Sequence, residues 1–221
     1  MNQKSECFLA MKLDDTQRRS WEWLNKNWDC SDVMRVALRQ SLGIVEEIGE
    51  LSEAIDDLDI FNMADAIGDC INYALNLLSA FDIKASEILG SMPKRIEDCD
   101  DDSGSVFNVL EAFNVASKIC NHVLKFDQGI KKDVDHVQEI KELMPSLFFE
   151  LEEALFETGY PESFGMGIVD TVREVVDEVV LRDWVNHPND AREIAHEKFH
   201  GGGDKVSGSS VEDKSKTQSS D

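Results

Sequence analysis

Proline is scarce in this chain, with four in 221 residues. Few clusters of β-branched residues occur either, and together these absences argue for helices rather than a sheet. No run of 18 apolar residues is found, so no transmembrane helix is expected. The opening stretch MNQKSECFLAMKLDD lacks an apolar segment long enough for a signal peptide. The five cysteines, at 7, 30, 70, 99 and 120, are odd in number, scattered, and without a C-x-x-C pair. They read as reduced thiols, which leads us to expect a cytoplasmic protein with no membrane partner. Positive charge is short too. Lys and Arg number 22 against 45 Asp and Glu, a formal net charge of −23. That balance opposes any nucleic-acid partner held by attraction to its backbone.

What is present is enough for a core. Hydrophobic residues make up 42% of the chain, and 221 residues fit one large domain or two small ones. Residues 1–15 read as a mobile N-terminal segment or a short helix, and 16–98 as a first helical half. Within it, 16–29 carries Trp21, Trp23, Leu24 and Trp28, aromatics read as packing rather than as stacking on a ligand. Asp32 caps a helix expected over 33–58, with Ile44, Ile48, Leu51, Ile55 and Leu58 as its core stripe. Helices over 63–81 and 84–98 follow. Residues 99–105 read as an acidic linker, since Ser105 stands where a calcium loop starting at Asp100 requires Gly. A second helical half spans 106–188: a helix over 106–126, a polar loop over 127–138, a helix opened by Pro145 in its first turn, and a last helix over 167–185. Residues 189–221 form a polar tail expected to be largely disordered.

The chemistry concentrates between Leu42 and Leu78, LGIVEEIGELSEAIDDLDIFNMADAIGDCINYALNLL. In an otherwise apolar helix, Asp65, Asp69, Asn72 and Asn76 recur at steps of four, three and four, and so share a face. The preceding helix offers Glu47 and Glu50, three apart. Burying so many carboxylates together is costly unless a cation neutralises them. Hard oxygen donors with little nitrogen or sulfur suit Mg²⁺ or Mn²⁺. With a turn expected at Asp59 to Asn62, Asp69 falls level with Ser52, Asn72 with Gly49, and Asp65 with Asp56 and Asp57. Glu47, Glu50 and Asp69 can then converge on one ion with Asn72 beside it. Asp65 could reach the same cluster, a second ion, or only water.

EEIGELSEAI followed by DAIGDCINYALNLL resembles the all-α nucleoside triphosphate pyrophosphohydrolases, the MazG-like family, over residues 35–97. Their signature is Glu-x-x-Glu on one helix and Glu-x-x-Asp on the next. Glu47 and Glu50 match the first half, and Asp69 after Gly68 matches the final Asp. The Glu expected three residues before that Asp falls on Ala66, and Asp65 stands one residue earlier. The resemblance implies an all-α helical bundle built on an antiparallel metal-binding hairpin. It implies hydrolysis of a (deoxy)nucleoside triphosphate to monophosphate and pyrophosphate with Mg²⁺, or Mn²⁺. Glu47, Glu50, Asp69 and Asp65 are the metal candidates, and Glu46 or Asp65 would orient or deprotonate the attacking water. Asn72, Lys94, Arg95, Lys118 and Lys125 are the substrate-binding candidates. Tyr73 and Asn76 are read as structural, and His122 as a hydrogen-bonded or surface histidine.

The second half faintly repeats the first. SKICNHVLK falls where EEIGELSEA lies, and Lys118, His122 and Lys125, at steps of four and three, turn the acidic face of copy one into a basic face. Two readings stand: a phosphate-holding half opposite a metal-holding half, or surface lysines on an amphipathic helix. The working unit is accordingly a monomer with two pseudo-equivalent halves or a homodimer. Two other functions stay open, a non-catalytic nucleotide binder that lost turnover at Ala66 and an acidic helical module for a basic protein partner.

Overall fold

Asp32 accepts the backbone N–H of Arg35 at 3.1 Å and so starts the helix α2, Val33–Asp56. In the computed structural model, which describes residues 3–92, 104–160, 167–189 and 191–200, every regular element is helical and no strand occurs among the described residues. Before α2 lies α1, Gln3–Asn27. The segment 1–15, expected to be mobile or a short helix, is from Gln3 onward the first half of this helix, and Leu13 within it is 1% exposed. Burial of Leu13 and Thr16 against neighbouring helices holds it in place.

After Asp56 the chain turns quickly. Leu58 takes the left-handed region at φ 55°, and Asp59 opens α3, Ile60–Ala80, by accepting the N–H groups of Phe61 and Asn62, each at 3.1 Å. Asp59 is therefore a helix cap rather than the start of the turn, and Leu58, expected in the core stripe, is 82% exposed at the bend. The rest of the stripe holds: Ile44, Ile48 and Leu51 are buried and Ile55 is half-buried.

α2 and α3 lie side by side in opposite directions. Gly43 meets the ring of Tyr73, and the Cys70 thiol donates to the Ile44 carbonyl at 3.8 Å. This register differs from the expected one because the turn comes earlier. Asp69 stands level with Glu46 and Glu47 rather than Ser52, and Asn72 with Gly43 rather than Gly49. Asp65 stands level with Glu50 rather than with Asp56 and Asp57. The shift brings the acidic residues of the two helices closer than the sequence-based register did.

Gln17 of α1 joins the end of α3 to the next helix. Its Nε2 donates to the Leu75 and Ile83 carbonyls at 3.4 and 2.8 Å, and its Oε1 accepts from Ala85 N–H at 2.8 Å. That next helix, α4, is only Ala85–Leu89: the chain turns at Gly90 to Met92, so the helix expected over 84–98 stops early, and residues 93–98 lie outside the described residues. α5 spans Gly104–Asp127, so Gly104 and Ser105, assigned to the acidic linker, begin a helix. α6 spans His136–Glu157, capped by Asp135, whose carboxylate accepts Gln138 N–H at 3.0 Å. Pro145, expected in a first turn, lies inside α6. A mid-helix proline costs about 3 kcal/mol. The buried stripe Ile140, Met144, Leu147, Phe148 and Leu151 offsets that cost.

α7, Ile168–Val179, is shorter than the helix expected over 167–185. It crosses α3 at Gly68, where a Cβ would collide with the Val175 side chain. Finally, residues 191–200 of the expected disordered tail form α8, with Ala191 and Ala195 buried at 1% and 0% exposure. α5 lies against α6 and α2, while α3 lies at the centre of the bundle in contact with α1, α2, α6 and α7.

Candidate functional site

Between α1, α2, α3 and the segment from the end of α7 into α8 lies a cavity of about 240 Å³. One wall is acidic: Glu46, Glu47, Glu50 and Asp69. The opposing charge comes from Arg39, Arg182 and Arg192, and aromatic surface from Trp23, Trp28, Tyr73 and Trp184. Asn72, Asn76 and Gln40 complete its polar lining.

The carboxylates crowd one another. Glu47 is only 8% exposed, and its pKa rises to about 8, first from loss of water and then from the charges of Asp69, Glu50, Glu46 and Asp65. Asp69, half-buried, rises to about 7 through desolvation and Asp65, although Arg182 and Arg192 pull it down. Tyr73 is raised as well, by burial and then by Glu47 and Asp69.

The basic wall is positioned by contacts distant in sequence. Trp23 Nε1–H donates to the Arg182 carbonyl at 2.7 Å, and Trp184 N–H donates to Asn27 Oδ1 at 3.0 Å. These bonds tie the chain after α7 to the end of α1. Arg182 reaches Glu178 at 3.3 Å. Arg39 lies over the Trp28 ring, 3.6 Å from its centroid.

Three buried polar atoms have no hydrogen-bond partner within the described residues: Gln40 Oε1, Asn76 Oδ1 and Arg182 Nε. All three residues line this cavity. Ser20 of α1 sets the orientation of the asparagines. Its hydroxyl donates to Asn72 Oδ1 at 2.5 Å and accepts from Asn76 Nδ2 at 2.9 Å. Asn72 and Asn76 therefore anchor α3 to α1.

Of the residues singled out in the sequence, Glu46, Glu47, Glu50, Asp69 and Asn72 are brought together here. Asp65 is exposed and does not line the cavity, though its charge bears on Glu47 and Asp69. Lys118 and Lys125 do not line it either. They lie on α5, which packs on α2 through the Cys120 thiol and the Ser41 carbonyl, 3.0 Å apart. The basic half opposite the acidic half is thus not found at this cavity, whose positive charge is supplied by arginines. Lys94 and Arg95 lie outside the described residues. His122 has its Nδ1 3.2 Å from Nδ1 of His136, in keeping with a hydrogen-bonded histidine.

Sequence reasoning missed Arg39, Arg182, Arg192, Gln40 and Trp184, and assigned Trp23, Trp28 and Tyr73 to packing. The signal was present only for Arg182 and Trp184, a basic and aromatic pair just beyond an apolar helix.

Among the described residues, no group of three or more His, Cys, Asp or Glu side chains stands ready to hold a metal ion. The donor chemistry of Glu47, Glu50 and Asp69 still suits a hard divalent cation: all are carboxylates from two facing helices, and burial, then the charge of neighbouring carboxylates, raises the pKa of Glu47 and Asp69. No helix among the described residues is long and apolar enough to cross a membrane. Compared with protein-family models, curated proteins and solved structures, the chain matches none.

Proposed function

We propose that this chain hydrolyses a ribo- or deoxyribonucleoside triphosphate to the monophosphate and pyrophosphate, as its resemblance to the MazG-like family implies. One observation carries the reading: in a chain of net charge −23, a single cavity gathers three arginines together with four carboxylates. A triphosphate bound with a divalent cation presents both charges that such walls would receive. Aromatic surface in the same cavity supports a ring-bearing ligand.

Glu47, Glu50 and Asp69 are the residues to hold Mg²⁺ or Mn²⁺. A cation there would neutralise the carboxylates and polarise phosphate oxygens. Arg39, Arg182 and Arg192 would take up phosphate charge in place of Lys94, Arg95, Lys118 and Lys125. Glu46, exposed at the cavity wall, is the candidate to orient the attacking water and accept its proton. The water oxygen bonds to the α-phosphorus, the α–β bridge breaks, and pyrophosphate leaves with the bridging oxygen. One chain supplies both the acidic and the basic wall, which supports a working monomer.

A second reading, nucleotide binding without turnover, is favoured by Ala66. It is buried at 5% exposure where the family signature has a carboxylate, and Asp65 does not line the cavity in its stead. Pyrophosphate release from a panel of triphosphates, with Mg²⁺, with Mn²⁺ and with chelator, tests the proposal. Metal-dependent release with matching monophosphate is expected. Asp69→Asn and Glu47→Gln should each lower kcat/KM by on the order of 100-fold or more while far-UV circular dichroism stays unchanged. Full activity in either variant would overturn the site assignment.

A further inference from the structure

Away from the acidic cavity, His122 of α5 and His136 of α6 bring their Nδ1 atoms to 3.2 Å. The ring centres stand 5.3 Å apart with their planes at 62°, so the Nδ1 corners face each other and the rings do not stack. His136 is buried at 4% exposure, and its Nε2 lies 2.8 Å from the Ile130 carbonyl oxygen. A carbonyl oxygen only accepts, so Nε2 carries the proton of the neutral ring and Nδ1 keeps its lone pair. Ile130 is itself held, since its N–H donates to the Lys125 carbonyl at 2.9 Å. The fold thereby orients the His136 lone pair, in the way that an N–H bond to a carbonyl orients metal-binding histidines. A separation of 3.2 Å lies at the long end of the range for N–H hydrogen bonds. It is close to the roughly 3.3 Å between two nitrogens held at about 2.0–2.1 Å in a tetrahedron around Zn²⁺.

We infer that His122 and His136 form a binding site for a transition-metal ion that favours imidazole, Zn²⁺ first, and that this ion ties α5 to the start of α6. The site is independent of the triphosphate reading, and its ion differs from the one that carboxylates would hold. Nitrogen donors of this kind suit Zn²⁺, Ni²⁺ and Cu²⁺, whereas carboxylates suit Mg²⁺. Binding requires His122 only to move its proton from Nδ1 to Nε2. Both Nδ1 lone pairs then meet the ion, and the neutral rings release no proton. Of the charges that act on His122, Glu139 favours a cation while Lys125 and Lys131 oppose it. Affinity must therefore come from the bonds to nitrogen rather than from charge, which again selects against Mg²⁺. Two protein ligands leave two positions of the tetrahedron to water, in keeping with the absence of any group of three candidate ligands among the described residues.

The experiment titrates the full chain with Zn²⁺ by isothermal calorimetry near neutral pH, with Mg²⁺ in large excess to occupy the carboxylates. A Zn²⁺ ion that Mg²⁺ does not displace is expected to bind. His122→Ala should weaken it on the order of tenfold or more, while Asp69→Asn, at the carboxylate site, should leave it unchanged. With Mg²⁺ present, Zn²⁺ should also raise the Tm of the wild type and not that of His122→Ala. Nitrogen NMR of the histidine rings in the wild type needs no variant: the Nδ1 signals of His122 and His136 should shift together as Zn²⁺ is added. Zn²⁺ bound as tightly by His122→Ala overturns the inference, since the ion would then sit on cysteines or carboxylates. Absence of binding in excess Mg²⁺, or ring nitrogens that do not shift, overturns it too and leaves the pair as a hydrogen bond between two helices. Each readout is metal binding rather than turnover, so either failure leaves the hydrolase reading standing.

Discussion

Glu47 carries the largest consequence of any single side chain here. With its pKa raised to about 8, against roughly 4.3 for an ordinary glutamate, the folded protein keeps a proton that the unfolded chain releases earlier. Stability from this group therefore falls as pH rises from the unfolded pKa toward about 8, and the loss is complete above it. Asp69 adds a loss of the same sign, ending near its own pKa of about 7. Glu47→Gln abolishes the first of these titrations. In chelator, the variant is expected to gain stability relative to the wild type as pH moves from 5 to 8. Each kcal/mol gained appears as about 2–4 °C in Tm for a chain of this size. Thermal melts across that range check it, and a difference that stays constant from pH 5 to 8 would count against the carboxylate crowding. Of the residues at this site, the acidic ones were legible in the sequence because carboxylates and amides recurring along one face of an apolar helix are too costly to bury without a partner. Arg39 and Arg192 were not, because an isolated arginine on a helix is ordinary surface until something faces it.

At the level of elements, the hairpin was legible and its register was not. Asp59 looked like a turn residue, since Asp favours turns and caps alike. Which role it plays depends on where the chain can reverse, and Leu58 at φ 55° made that choice. Pro145 was misplaced for a related reason. Proline favours a first turn, but a buried apolar stripe can carry a helix through it. The contact between α3 and α7 gives a sharp contrast between two glycines. A Cβ at Gly68 would collide with Val175, whereas one at Gly49 meets nothing within 4 Å. Gly68→Ala is expected to destabilise by about 1–3 kcal/mol through overpacking. Gly49→Ala should instead stabilise, by up to about 1 kcal/mol through helix propensity. Urea denaturation of both variants checks the contrast, and equal effects would show that α7 does not approach α3 so closely.

Across the whole molecule, the site depends on chain ends that meet. α1 supplies Ser20 and Trp23, α2 and α3 the acids, and the chain beyond α7 supplies Arg182, Trp184 and Arg192. Ending the chain after Asn189 removes α8, and with it Arg192 and the buried Ala191 and Ala195. Given the proposed function, the truncated protein should remain helical by circular dichroism and show KM for the triphosphate raised on the order of tenfold or more, with Arg192→Ala producing part of the same rise. An unchanged KM in both would separate α8 from substrate binding.

By itself the sequence determined the helical class, the paired acidic helices and the cap at Asp32, because each follows from local periodicity, composition or a side chain acting on its own backbone. Tertiary structure alone decided which charges face the carboxylates, that the supposed tail contributes a helix to the cavity, and that α5 turns its lysines elsewhere. The first two outcomes depend on contacts between residues more than a hundred positions apart, such as Trp23 with Arg182 and Asn27 with Trp184. Local periodicity holds no record of such distances, because it reports only which face of a helix is apolar and not which helix covers it.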